Sequence, residues 1–108
     1  MKEVIPGKLQ VSIDKIDDFC RRWQITELAL FGSILRDDFK PDSDIDVLVT
    51  FTSDAKWSLL DHIRMEQELK SLFGREIDLV SKRAIQQSKN WIRRREILTT
   101  AQPIYASR

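Results

Sequence analysis

Between Phe31 and Asp78 three features with a use in phosphate chemistry coincide: a Gly32-Ser33 step after an apolar run, the pair Asp44-Ile45-Asp46 ten residues on, and Asp78 isolated in a further apolar run. Glycine lets backbone amides approach a phosphate closely, and if a helix opens at Ser33 its unpaired N–H groups and dipole favour the anion. The Ser33 hydroxyl adds one more donor. Asp44 and Asp46 alternate with Ile45, so on a strand both carboxylates project from one face while Ile45 and Val47 pack on the other. Carboxylates that close repel unless a hard cation lies between them. Mg²⁺, which takes oxygen ligands and shares its shell with substrate phosphates, is the natural choice. Adding Asp78 makes three carboxylates, enough for two ions about 4 Å apart, one on the phosphates and one lowering the pKa of an attacking hydroxyl. Asp78 is then also the candidate general base.

Each feature has a plainer reading. Gly-Ser steps occur in many turns, and Asp44 and Asp46 taken singly are ordinary solvated acids at a strand end; the combination and its spacing carry the argument. Asp78 has a structural ion-pair role as its alternative. Arg36 either forks onto phosphate oxygens or pairs with Asp37 or Asp38, two readings of equal weight. Asp37, Asp38, Asp42 and Ser43 read as loop and turn residues and stay outside the catalytic set. His62, the sole histidine, has no second His or Cys near it in sequence and reads as a boundary residue. Cys20 reads as core.

The elements that must hold these residues follow from periodicity. Ile13, Ile16, Phe19, Cys20 and Trp23 recur at helical spacing over Ser12 to Trp23, with Ser12 as N-cap and Asp14 in the first turn. Leu28 to Phe31 reads as a buried strand that stops at Gly32, and residues 34 to 43 as a turn of helix and a polar loop. Asp44 to Phe51 has the β-branched richness of a central strand. Leu60, Ile63, Leu69, Leu72 and Phe73 give a helix over Trp57 to Phe73, capped by Gly74. Glu76 to Val80 is a third strand, Arg83 to Thr99 one or two short helices, and Pro103-Ile104-Tyr105 an extended end. The order predicts an α/β (α+β) domain, a small sheet backed by helices. A crossover by the helix from Trp57 to Phe73 would set Asp78 beside Asp46.

A chain of 108 residues with 42% hydrophobic and 32% charged content is expected to form one domain over 1–108, small enough that a partner would help bury apolar area. The single cysteine excludes an intramolecular disulfide, and with no leader pattern in view the expected compartment is the cytoplasm. No apolar run approaches the roughly 20 residues that cross a bilayer, so no membrane role is expected. Net charge is only +1, but it is unevenly spread. Six aspartates face one lysine between Asp37 and Asp54, whereas seven basic residues face only Glu96 between Lys82 and Arg108. The run Lys89 to Arg95, with Trp91 inside it, is either a solvated helical face or a docking surface. Tryptophan and arginine anchor protein interfaces, which favours a protein partner over direct nucleic-acid binding.

The string Gly32-Ser33, ten residues, Asp44-Ile45-Asp46 matches the signature of the DNA polymerase β-like nucleotidyltransferase superfamily. From Leu28 through Tyr105 the chain resembles its minimal nucleotidyltransferase (MNT) family, in LFGSILRDDFKPDSDIDVLVTF, SLLDHIRMEQELKSLFGREIDLVSKRAI and EILTTAQPIY. The resemblance implies a nucleotidyltransferase fold, two Mg²⁺ held by Asp44, Asp46 and Asp78, and NTP phosphates held at Gly32 and Ser33. It further implies an antitoxin paired with a HEPN-domain ribonuclease toxin, acting by transfer of AMP from ATP to a toxin tyrosine. Two alternatives stand beside it: an antitoxin that neutralises by binding alone, and a nucleotidyltransferase acting on a small molecule or RNA.

Overall fold

A computed structural model describes residues 11–35 and 43–107. The chain opens with helix α1 (Ile13–Arg22), then strand β1 (Ile25–Phe31), a 3₁₀ turn (Gly32–Leu35) and strand β2 (Ile45–Phe51). Helix α2 (Leu59–Phe73), strand β3 (Ile77–Ser81), helices α3 (Lys82–Gln86) and α4 (Trp91–Thr100), and strand β4 (Gln102–Ala106) complete it.

The helices start and stop where local chemistry dictates. The Ser12 hydroxyl accepts from Lys15 N–H at 3.4 Å and caps α1. Ser58 and Asp61 form a reciprocal capping box that opens α2, two residues later than periodicity places it. Gly74 closes α2 in the left-handed conformation, φ 69°.

The four strands run in the order β3-β2-β1-β4. β1 pairs antiparallel with both β2 and β4, and β2 pairs parallel with β3, so α2 is the crossover between them. The extended end expected at Pro103-Ile104-Tyr105 pairs with β1 as the fourth strand. Pro103 has no N–H to give to a ladder, and it lies on an edge strand, where that loss is tolerated. The other edge, β3, is covered by α2. His62 Nε2 lies 3.0 Å from Leu79 O, and Leu79 N–H donates to Glu66 Oε2 at 3.2 Å.

Two hydrophobic layers sandwich the sheet. The larger joins Ile16, Phe19 and Cys20 of α1 and Met65, Leu69 and Phe73 of α2 to Leu28, Leu30, Ile45, Val47 and Val49. The smaller joins Ile85 of α3 and Ile97 of α4 to Ala29, Phe31 and Leu48. Strands β1 and β2 are thus buried on both faces, which explains their near-continuous apolar runs. Leu60 and Ile63, counted on the buried face of α2 by spacing, are 56% and 40% exposed, so the first turns of that helix stand clear of the core. Trp23 and Trp57 meet edge to face at 5.1 Å, and the Trp57 indole donates to Trp23 O at 3.0 Å, tying the approach to α2 onto the end of α1. Among the described residues no helix is long and apolar enough to cross a membrane.

Candidate functional site

β1 ends at Phe31, opposite Asp46, and the chain then turns sharply at Gly32. Gly32 has φ 78°, a conformation that costs any side-chain-bearing residue. It also lies directly against the Asp46 carboxylate: a Cβ here would overlap Oδ2 and stand 3.1 Å from Cγ. Two independent constraints therefore demand glycine at 32, and both come from bringing the turn onto Asp46. Ser33 follows in the same turn, half-buried, while Ile34 drops into the core and fixes the turn to the sheet. Gly32–Leu35 form a 3₁₀ turn, and residues 36–42, over which a longer helix behind Ser33 would have to run, lie outside the described residues.

The parallel register of β2 and β3 pairs Asp46 with Asp78 and Leu48 with Val80. Leu48 and Val80 pack in the α3/α4 layer, whereas Ile45, Val47 and Leu79 pack in the α1/α2 layer. Asp46 and Asp78 therefore occupy neighbouring strands on the same face, the adjacency expected from the α2 crossover. Asp46 is half-buried and Asp78 exposed. Asp44 is exposed and stands just ahead of β2, whose entry is pinned by Ile45 N–H donating to Glu76 O at 2.9 Å and by the Arg75 guanidinium donating to Ser43 O at 3.3 Å. Among the described residues no three His, Cys, Asp or Glu side chains gather into a ready-made metal cage. The donor set is a small number of carboxylates on one face beside a backbone turn, which suits Mg²⁺, an ion that completes its shell with water and substrate phosphates. Arg36 lies outside the described residues, as do Asp37, Asp38 and Asp42.

Two hollows compete for attention. The larger, about 610 Å³, lies between Ser43 and the end of α2, with Lys70, Arg75 and Glu76 on its walls. The smaller, about 420 Å³, holds Gly32 and Asp46 on one wall and Arg93, Glu96 and Thr100 of α4 on the other. The chemistry decides for the second, whose volume also falls in the range of small-molecule sites. Its α4 wall was invisible as part of the site in the sequence, where Arg93 is one of a run of basic residues. The remaining candidates are structural. Cys20 is buried, and burial pushes its thiol pKa up to about 12, so it is not a nucleophile. His62 is half-buried and engaged with β3.

The nucleotidyltransferase domain family matches residues 13–101. The protein adenylyltransferase MntA of Thermococcus cleftensis is 41% identical over 64 residues, an alignment covering 59% of this chain and 63% of that relative, so the chain spans less than two thirds of its length. In overall structure the chain is similar to one in a toxin–antitoxin crystal structure with AMP-PNP, with a TM-score of 0.66, 19% identity, and coverage of 91% of this chain and 76% of that one. It is also similar to a chain in a complex of a tri-AMPylated Shewanella oneidensis HEPN toxin with an MNT antitoxin, with a TM-score of 0.58, 20% identity, and coverage of 88% and 70%. A match over most of the chain, with the Gly-Ser turn packed on the first strand-borne carboxylate, places this protein in the nucleotidyltransferase domain family.

Proposed function

We propose that the chain is a Mg²⁺-dependent protein adenylyltransferase that moves AMP from ATP to a tyrosine of a cognate HEPN-domain ribonuclease toxin and so acts as its antitoxin. The observation that carries this reading is the position of Asp46, in register with Asp78 on one face and in contact with the Gly32 turn. In this assignment the turn at Gly32 and Ser33 cradles the phosphates, with Arg36 as a further candidate. Asp44, Asp46 and Asp78 hold the cation, two ions when all three take part. When bound, Mg²⁺ neutralises triphosphate charge and acidifies the acceptor hydroxyl. Asp78 takes the tyrosine proton, the tyrosine oxygen bonds to the α-phosphorus, and pyrophosphate leaves with the electrons of the broken P–O bond. Support for the acceptor comes from the adenylyltransferase relative and the HEPN toxin complex. A free buried cysteine and an ATP substrate fit the cytoplasm.

The test is to mix the chain with ATP, Mg²⁺ and the partner toxin and follow intact mass. Adducts of one or more AMP are expected, and Asp46→Asn is expected to lose at least about a hundredfold in transfer while unfolding at the same temperature. No adduct with folded components overturns the assignment. Exposed Trp91 (59%) and Ile92 (61%) on α4, flanked by arginines, favour a second reading in which binding alone neutralises the toxin. Retained neutralisation by the Asp44→Asn, Asp46→Asn double variant would select it.

A further inference from the structure

Helix α4 carries three consecutive arginines, of which only Arg93 lines the cleft that holds Gly32 and Asp46. The Arg94 guanidinium is engaged elsewhere, donating to Ser88 O at 2.8 Å. Arg93 is fixed in place by the helix itself. Its backbone N–H donates to the Asn90 cap at 3.1 Å, and Ile97, one turn later on the same face, is buried against Ala29, Phe31 and Leu48. Anchoring Ile97 in the second layer obliges Arg93 to stand over the cleft. Among the described residues its guanidinium has no ion-pair partner, and it is the only cation lining that cleft.

We propose that Arg93 is a nucleotide-binding residue whose guanidinium grips the phosphates of an NTP seated against the Gly32 turn and Asp46. The inference rests on the nucleotidyltransferase reading of the cleft. Among the described residues the other charged side chains lining the cleft, Asp46 and Glu96, are both acidic, so beyond a bound Mg²⁺ the remaining negative charge of a triphosphate calls for a protein cation facing it. Arginine meets that need with a planar fork of donors matched to phosphate oxygens. Glu96, one turn further along the same wall, repels phosphate and so confines the anion to the Arg93 end.

The experiment is calorimetric titration of the full chain with AMP-PNP in Mg²⁺, alongside thermal unfolding of each variant. Arg93→Ala is expected to weaken AMP-PNP binding about ten- to a hundredfold, the range for losing a charge-assisted contact, with the unfolding temperature held. Arg93→Lys is expected to recover part of that loss, since the charge remains but the fork does not. Arg64→Ala, which removes an exposed arginine from α2, is expected to bind as the unaltered chain does. Unchanged affinity in Arg93→Ala, or equal weakening in Arg64→Ala, overturns the role of Arg93 and leaves the nucleotidyltransferase reading standing. An unaltered chain that binds no AMP-PNP overturns both.

Discussion

Under α1 and α2 the sheet is dry: Leu28, Leu30, Ile45, Val47 and Val49 are buried against Phe19, Met65 and Leu69. One residue along the same strands, the opposite face carries Asp46 and Asp78 at the end where the strands meet the Gly32 turn, with Phe31 and Leu48 packed behind them. The first face is closed by two long helices. The second is covered by one five-residue helix and by α4, whose wall leaves a cleft. A strand period of two lets β2 serve both faces, so the carboxylates need not interrupt the core that stabilises them. Stability and chemistry are separated by a single-residue offset.

The largest expected effect breaks the dry face. Phe19→Ala removes a fully buried ring from the junction of α1 and the sheet, and unfolding free energy is expected to fall by about 3–5 kcal/mol in denaturant titration. Against a total stability of about 5–15 kcal/mol for a folded domain, that is a large fraction.

Gly32→Ala tests the other face. It forces a side chain into the left-handed region and into the Asp46 carboxylate, with an expected loss of about 1–3 kcal/mol. AMP-PNP affinity is expected to fall by more than this stability loss would cause in the folded fraction. Equal stability and affinity in Gly32→Ala would show that the turn does not lean on Asp46.

The smallest effect concerns the rim of the dry face, where Glu68 of α2 accepts hydrogen bonds from the Arg22 guanidinium of α1 and, at 3.1 Å, from the Trp23 indole. The Arg22 hydrogen bonds hold the Glu68 pKa below its usual value against the opposing effect of partial burial. Ser58 does the same for Asp61, through its backbone N–H and its hydroxyl. Both folded-state pKa values lie below the unfolded ones. Their contribution is therefore full above the unfolded carboxylate range, about pH 4, and is lost as pH falls through the folded values. Denaturant titrations from pH 7 to pH 3 are expected to show this loss, and Glu68→Gln is expected to flatten part of it. A Glu68→Gln chain with the same acid slope would remove the pair from the account.

Much of the site was readable because it is local. Ser12 and Gly74 act on backbone groups within a turn of themselves, and the alternation of Asp46 with Ile45 and Val47 assigns faces without reference to any other part of the chain. The Ser58-Asp61 capping box, equally local, was missed in starting α2 at Trp57. Elsewhere periodicity misled where distant packing overrode it. Leu60 and Ile63 have the right spacing for a buried face, but α2 reaches past the sheet before they can use it. Pro103-Ile104-Tyr105 read only as an extended end, because nothing nearby revealed that β1 had an edge for it to pair with.

The sequence by itself determined the carboxylate pair, the glycine turn before it and the two-faced burial of the strands, since each depends on residues a few positions apart. Only the tertiary structure decided that Asp78 stands beside Asp46, that Gly32 touches the Asp46 carboxylate, and that Arg93 rather than Arg94 or Arg95 faces the cleft. These juxtapositions join segments 14 to about 60 residues apart. They are set by the antiparallel register of β1 and β2, by the crossover of α2 and by the burial of Ile97, which register and packing fix and periodicity does not.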